Sequence, residues 1–237
     1  MPRPYLVMLG GHLCTPTLWA MQCAALTDVV DCMPLSLTDG VSMAELAQSV
    51  LRRAPERFSL AALSMGGHVA MEIMRQAPDR VERLALIDTR ADVDSPERLK
   101  TRVDDDVMVK NEGFSALVDL LPGRWMLPAH AAIPHLRQLV IDMAMETGLE
   151  GRHRQLQALL GRIDSRASLA TISCPTLVMC GRQDLANPVW MHEEMAKLVP
   201  AAQLQIIEDC GHLSPVEQPV AVSSALRSWL HVAPNLT

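Results

Sequence analysis

Short runs of consecutive apolar residues recur along the chain, at 5–9, 29–35, 58–63, 84–88, 176–180 and 204–207, with stretches of helical period between them. Each run has strand length, and none alternates cleanly between apolar and polar residues, so both faces of each are expected to be covered. The pattern predicts an α/β fold: a doubly wound, mostly parallel six-stranded sheet of buried strands shielded by helical crossovers. The helices are expected at 42–54, 65–77, 189–199 and 219–230. Ser42 opens the first as an N-cap with Glu45 three residues on, and Leu46, Val50 and Leu51 repeat along one side, the signature of a capping box leading into amphipathic turns. Pro78, Pro200 and Pro234 each stand just past a predicted helix end, where a residue without an N–H blocks continuation.

The interval 92–172 contains no convincing strand. Its periodic pieces, 96–110, 114–121, 133–147 and 152–160, are separated by Gly113, Pro122-Gly123, Pro128, Pro134 and Gly148. No Ser/Gly-rich linker isolates it, so residues 1–237 are expected to form a single domain with 92–172 inserted as a helical lid between strands four and five. A length of 237 residues fits one large core.

Composition narrows the partners. The formal net charge of −6 repels a phosphate backbone and argues against nucleic-acid binding. The longest apolar runs, such as 175–180 and 129–134, fall far short of the ~20 residues that cross a bilayer, so no membrane partner is expected. Residues 1–11 are too short and too quickly interrupted for a secretory signal, which makes a cytoplasmic protein the expectation. Cys14, Cys23, Cys32, Cys174, Cys180 and Cys210 form no C-x-x-C and lie in apolar segments, so they read as reduced core thiols. Asn235-Leu236-Thr237 matches a glycosylation sequon and reads as a chance match. With 15 methionines and only 3% aromatic residues, a pocket is expected to be lined by thioethers and aliphatics.

Candidate chemistry begins after the third run. Ala62-Leu63-Ser64-Met65-Gly66-Gly67 leads straight into a helical stretch, a strand, a serine turn and a helix. A nucleophile on so tight a turn needs small residues two before and two after it, and Ala62 and Gly66 meet that need. A serine nucleophile requires a base. His212, in the glycine-flanked loop 209–215, is the candidate, and Asp184, following the fifth run, can fix its tautomer and balance its charge. Asp88, ending the fourth run, is the runner-up acid.

These strings together resemble the α/β-hydrolase superfamily, in particular its compact esterase-like members with a helical lid. The resemblance spans essentially the whole chain and rests on four strings: A-L-S-M-G-G at the elbow, G-R-Q-D-x-x-x-P at 181–188, D-C-G-H-L-S-P-x-E-x-P at 209–219 and L-G-G-H-L-C-x-P-x-L-W at 9–19. It implies Ser64 as nucleophile, Asp184 as orienting acid and His212 as base. It also implies an oxyanion hole from the N–H groups of Met65 and His12, with Leu13 the alternative if the register slips by one. The elbow departs from the usual G-x-S-x-G in having Ala62, and the N-terminal loop has Gly10-Gly11 where a His-Gly pair is frequent. The His12 imidazole reads as structural or pocket-lining, and His68 as a packed core histidine.

Leu13, Trp125, Met126 and Met143 are the candidate substrate-binding residues, with Met108 and Met145 as further parts of an adaptable wall; methionine at helical spacing also fits simple core. Arg124, Arg152, Arg154 and Arg162 could hold a carboxylate or phosphate, though solvated helix faces are the plainer reading, as is an exposed acidic face for Asp104-Asp105-Asp106. No metal is expected, since His192-Glu193-Glu194 lacks the second histidine of H-E-x-x-H. No cofactor is expected either, because neither Gly10-Gly11 nor Gly66-Gly67 extends to a nucleotide-binding loop. The expected function is hydrolysis of a small or medium carboxylic ester through an acyl-enzyme. Thioester, lactone and carbon–carbon hydrolysis and perhydrolysis are the alternatives on the same triad, and a non-catalytic small-molecule receptor is the alternative of a different class. No oligomeric state is assigned.

Overall fold

The computed structural model describes residues 3–232, so the sequon at 235–237 lies outside the described residues. The strands are β1 (Tyr5–Leu9), β2 (Asp31–Leu35), β3 (Phe58–Leu63), β4 (Val81–Ile87), β5 (Thr176–Gly181) and β6 (Gln203–Ile207). They form one six-stranded sheet in the order β2-β1-β3-β4-β5-β6, and every neighbouring pair is parallel. Because β2 lies on one side of β1 and β3 on the other, the winding reverses between β1 and β3. The loops leaving the carboxyl ends of those two strands diverge there and open a crevice, the place where doubly wound sheets hold ligands.

The helices are α1 (Ala20–Leu26), α2 (Met43–Arg53), α3 (Met65–Gln76), α4 (Pro96–Glu112), α5 (Phe114–Trp125), α6 (Pro128–Ala131), α7 (Pro134–Leu160), α8 (Arg166–Leu169), α9 (Val189–Leu198), α10 (Ser214–Glu217) and α11 (Pro219–Leu230). Two cores flank the sheet, and alternate residues of each inner strand enter them. Leu6 and Met8 of β1, with Ala61, Leu63, Ile87 and Met179, pack against Trp19, Leu226 and Trp229. Val7 and Leu9, with Leu60, Leu86 and Val178, pack against Val50, Val69, Ile73 and Met195. The missing polar alternation in the strands follows from this, since both faces lie under helices.

The four inner strands are buried as expected, but the edge strands β2 and β6 are half-exposed, because each has a neighbour on one side only. The strand expected at 29–35 starts at Asp31, since the N–H groups of Val29 and Val30 both donate to Leu26 O and close α1, a helix the pattern did not reveal. The strand expected at 84–88 starts instead at Val81, which pairs with Phe58 at the beginning of β3. The cap at Ser42 is present, Ser42 Oγ accepting from Glu45 N–H at 3.2 Å, but the return bond of the box is displaced by one residue, Glu45 Oε2 accepting from Val41 N–H at 2.8 Å.

Between β4 and β5 the regular elements are all helices, α4 to α8. The break expected at Gly148 appears as a non-helical residue, φ 70 and ψ 173, inside α7. The end expected for α5 at Pro122 does not; the helix continues to Trp125, whose carbonyl accepts from His212 N–H at 2.7 Å. That tertiary bond satisfies a C-terminal carbonyl that would otherwise need water. No helix among the described residues is long and apolar enough to cross a membrane. All six cysteines are free thiols, Cys14, Cys180 and Cys210 buried and the others half-buried.

Candidate active site

Ser64 occupies the turn between β3 and α3 at φ 53, ψ −114, a region that L residues avoid. Tight packing holds it there. Ser64 N–H donates to Ile87 O at 2.9 Å, and its carbonyl accepts from Gly67 N–H at 2.9 Å and from Thr89 Oγ1 at 2.7 Å. The glycines of the motif are required by close approach, not by φ. A Cβ on Gly66 would lie 2.7 Å from Gly10 O, and one on Gly67 would lie 2.4 Å from Thr89 Oγ1.

Three loops from the carboxyl edge of the sheet meet at this turn. Ser64 Oγ–H donates to His212 Nε2 at 2.9 Å, and His212 Nδ1–H donates to Asp184 Oδ2 at 2.8 Å. Asp184 accepts with its other oxygen from the N–H groups of Ala186 and Asn187, both at 2.8 Å. An acceptor-only carboxylate fixes the imidazole tautomer, leaving Nε2 as the atom that can take a proton from Ser64. Burial disfavours the charged form of His212, but the Asp184 charge and hydrogen bond outweigh it and raise the imidazole above its ordinary value of 6.5.

Asp88 is not hydrogen-bonded to that histidine. Its carboxylate accepts from Gly181 N–H and Ser214 N–H, each at 3.0 Å, so it ties the loops that carry Asp184 and His212 to the end of β4. Burial, with the Asp184 charge adding to it, pushes Asp88 up to about 8.

At the end of β1, Leu13 sits at φ 57, and its N–H donates to the buried Gln155 Oε1 at 2.9 Å. Leu13, Ser64, Asp88 and Asp209 all have positive φ, and each lies in a loop leaving the carboxyl edge of the sheet. Such strain, of order 1–3 kcal/mol per residue, gathers where a site must be held in one geometry.

A cavity of about 390 Å³ opens over Ser64, with His12, Leu13, Met65 and His212 in its wall. Trp125 lines it, but Met126 and Met143 do not: they are 4% and 1% exposed and belong to the core cluster that holds Leu117 and Val140. Met108 packs against the same core and Met145 is exposed, so the expected methionine wall is absent. Leucines and arginines replace it. Arg152 and Arg162 are 5% and 9% exposed, contrary to the solvated reading, whereas Arg154 is exposed as expected. In the acidic run at 104–106, Asp104 and Asp106 are exposed as expected, Asp106 also pairing with Arg152, whereas Asp105 lies in the cavity wall. His68 is buried but reaches the cavity too.

Sequence reasoning missed Gln155, Arg98, Arg102 and Glu217. Glu217 belongs to the string at 209–219 and could have been noticed there. Its buried carboxylate accepts from the N–H groups of Gly211 at 3.0 Å, Leu213 at 3.2 Å and Leu127 at 2.8 Å, and it meets His130 Nδ1 at 2.9 Å. One side chain thus joins the His212 loop to the turn after α5.

Gly181 sets how near β5 comes to that loop, for a Cβ there would lie 2.0 Å from Gly211 O. Gly181→Ala is therefore expected to destabilise the fold by about 2–3 kcal/mol through overpacking against rigid backbone, read as a lowered urea midpoint at unchanged slope.

Known proteins share this architecture. The solved structure of a thermophilic esterase from Thermogutta terrifontis, with malate bound, matches with a TM-score of 0.85 and 28% identity, covering 97% of this chain and 90% of that one. The enol-lactonase from Burkholderia xenovorans LB400 matches with a TM-score of 0.87 and 26% identity, covering 97% and 92%. In sequence, a pimeloyl-(acyl-carrier protein) methyl ester esterase of Nitrosomonas europaea is 28% identical over 194 residues, 78% of this chain and 77% of that protein. The family model for alpha/beta hydrolases matches residues 15–225. The chain therefore belongs to the alpha/beta hydrolase family.

Proposed function

We propose that this protein is a serine hydrolase that cleaves a carboxylic ester of a small or medium substrate by two-step acyl transfer. The observation that carries the reading is the unbroken relay from Ser64 Oγ through His212 to Asp184, at 2.9 and 2.8 Å, in the wall of an open cavity. In the first step His212 Nε2 takes the Ser64 proton as Oγ attacks the ester carbonyl. The tetrahedral oxyanion is held by the N–H groups of Met65 and His12. Leu13 is the poorer donor, because its N–H already bonds Gln155. Protonated His212 then gives its proton to the leaving alkoxide, and the alcohol departs. In the second step His212 deprotonates a water that attacks the acyl-enzyme, releasing the acid and restoring the Ser64 hydroxyl. No cofactor enters this scheme.

In this reading residues 92–172 form the lid of a single hydrolase domain, and Leu13 and Trp125 are its apolar substrate contacts. The likeness to an enol-lactonase favours cyclic esters as a second substrate class, opened by the same attack on the carbonyl.

A fluorophosphonate probe tests the reading. Its expected outcome is a single adduct at Ser64, found by mass spectrometry of the peptides, together with turnover of p-nitrophenyl esters. Folded protein that neither labels at Ser64 nor turns over any ester of a graded chain-length series would sink it.

A further inference from the structure

The walls of the cavity indicate which esters it takes, an inference that rests on the hydrolytic reading above. Arg98, Arg102, Arg124 and Arg152 line the cavity with one carboxylate, Asp105. Arg152 is buried and Arg98 and Arg102 are half-buried; holding guanidinium groups away from water is unfavourable unless counter-charge is supplied, and among the described residues the supply falls short. Asp94 is shared, accepting from Arg102 Nε at 2.7 Å and Arg162 Nη2 at 2.9 Å, with Arg98 at 3.9 Å. Arg98 also donates to the Asn187 side-chain oxygen at 3.1 Å. Arg124 pairs with Asp105 at 2.7 Å, and Arg90, behind the wall, pairs with Asp92. Six arginines thus face four aspartates.

Arg152 carries the clearest deficit. It is 5% exposed. Its Nη2 meets Asp106 at 2.7 Å, but that side chain is 52% exposed and its charge is screened by water. Arg152 Nε is buried with no hydrogen-bond partner among the described residues. A buried donor left unmade is costly, and the residue that carries it lines the same cavity as Ser64. The neighbouring histidines feel the same field: burial first, and then Arg102 and Arg152, push His12 down to about 3.

We propose that the cavity takes esters that carry a free carboxylate, as in the monoester of a short dicarboxylic acid, with that carboxylate received by Arg152 and Arg102 while the ester carbonyl lies at Ser64. A planar carboxylate matches the guanidinium fork in geometry and supplies counter-charge that the four aspartates leave short.

Two measurements on the purified full chain test this. The first compares monomethyl adipate with methyl hexanoate, which differ in the terminal carboxylate. The charged ester is expected to have at least ten-fold higher kcat/KM, a preference that shrinks between 20 and 300 mM salt. Arg152→Gln should lower that ratio ten-fold or more; Arg102→Gln, at a half-exposed position, should act in the same direction and serves if the buried variant does not fold. Asp106→Asn, which frees Arg152 from its partner, should raise the ratio. The second measurement is calorimetric binding of adipate, which needs no turnover.

Equal turnover of the two esters with no adipate binding overturns the carboxylate site and leaves the hydrolase standing. Tighter binding of inorganic phosphate than of adipate also overturns it. Absence of turnover and of fluorophosphonate labelling overturns the hydrolase, and adipate binding then still decides whether the anion site exists.

Discussion

Ser64→Ala is expected to lower kcat by about 10⁵-fold or more while the protein stays folded, because Ser64 Oγ is the hydroxyl bonded to His212 Nε2 among the described residues and its loss leaves nothing there to form the acyl-enzyme. Urea unfolding should show little change. Alanine keeps the Cβ and hence the strain at φ 53, and His212 Nε2 can turn to water in the open cavity. Ser64→Gly should be equally inactive but should differ in stability. Removing the Cβ at this backbone geometry relieves strain of order 1–3 kcal/mol, against a gain in unfolded-chain freedom of about 0.4–1 kcal/mol. The glycine variant is therefore expected to unfold about 1 kcal/mol harder than the alanine variant, roughly 2–4 °C in Tm for a chain of this size. A dead enzyme more stable than its active parent would show that the elbow is held against its own backbone preference for the sake of the hydroxyl. Full activity in Ser64→Ala would remove Ser64 from the chemistry altogether.

The sheet and the relay were legible in the sequence for one physical reason. A strand covered on both faces must be apolar throughout, so β1, β3, β4 and β5 stand out as runs, and residues that follow such runs gather at one edge. Ser64 and Asp184 could therefore be placed at that edge from their positions, whereas His212 follows the half-exposed β6 and stands out by its glycine-flanked loop. What depended on the packing of one helix against another was not legible. Helix α4 buries none of its residues, so no periodicity announces that Arg98 and Arg102 face the cavity while Leu99 and Val103 face solvent. Met126 and Met143 have the chemistry of a flexible wall, yet which side of α7 or of the turn after α5 faces inward is set by contacts with other helices. The burial of Arg152 is not legible for a related reason: a charged side chain is buried only if something distant answers it, and Asp106 lies on a different helix. Gln155, which fixes the N–H of Leu13, reaches from α7 to a loop 142 residues earlier in the chain.

Asp184→Asn is expected to lower kcat about 10⁴-fold, with little change in KM. The substitution is nearly isosteric, and an amide oxygen can keep the bonds from Ala186 and Asn187 that now hold Oδ1 at 2.8 Å. What changes is the group facing His212. An amide NH₂ there turns Nδ1 into the acceptor and moves the imidazole proton to Nε2, where it points at Ser64 Oγ and can no longer accept that hydroxyl's proton. The pH profile separates this from a structural defect. The working form of His212 is the neutral imidazole, so kcat/KM of the parent should fall as pH drops through a value above 6.5, where the Asp184 charge holds the imidazole against the opposing effect of burial. Without that charge burial prevails, and the acid limb of the residual activity should move to lower pH. Asp88→Asn is the control. Its two carboxyl oxygens accept from two N–H groups and not from the histidine, so an amide there leaves one of them without its acceptor, roughly 1–3 kcal/mol of stability. The rate should stay within about ten-fold of the parent, since the nucleophile, base and acid all remain. If Asp88→Asn instead matched the loss in Asp184→Asn and shifted the acid limb as far, the orienting acid would be Asp88, and the 2.8 Å contact between Asp184 and His212 would describe only a resting arrangement.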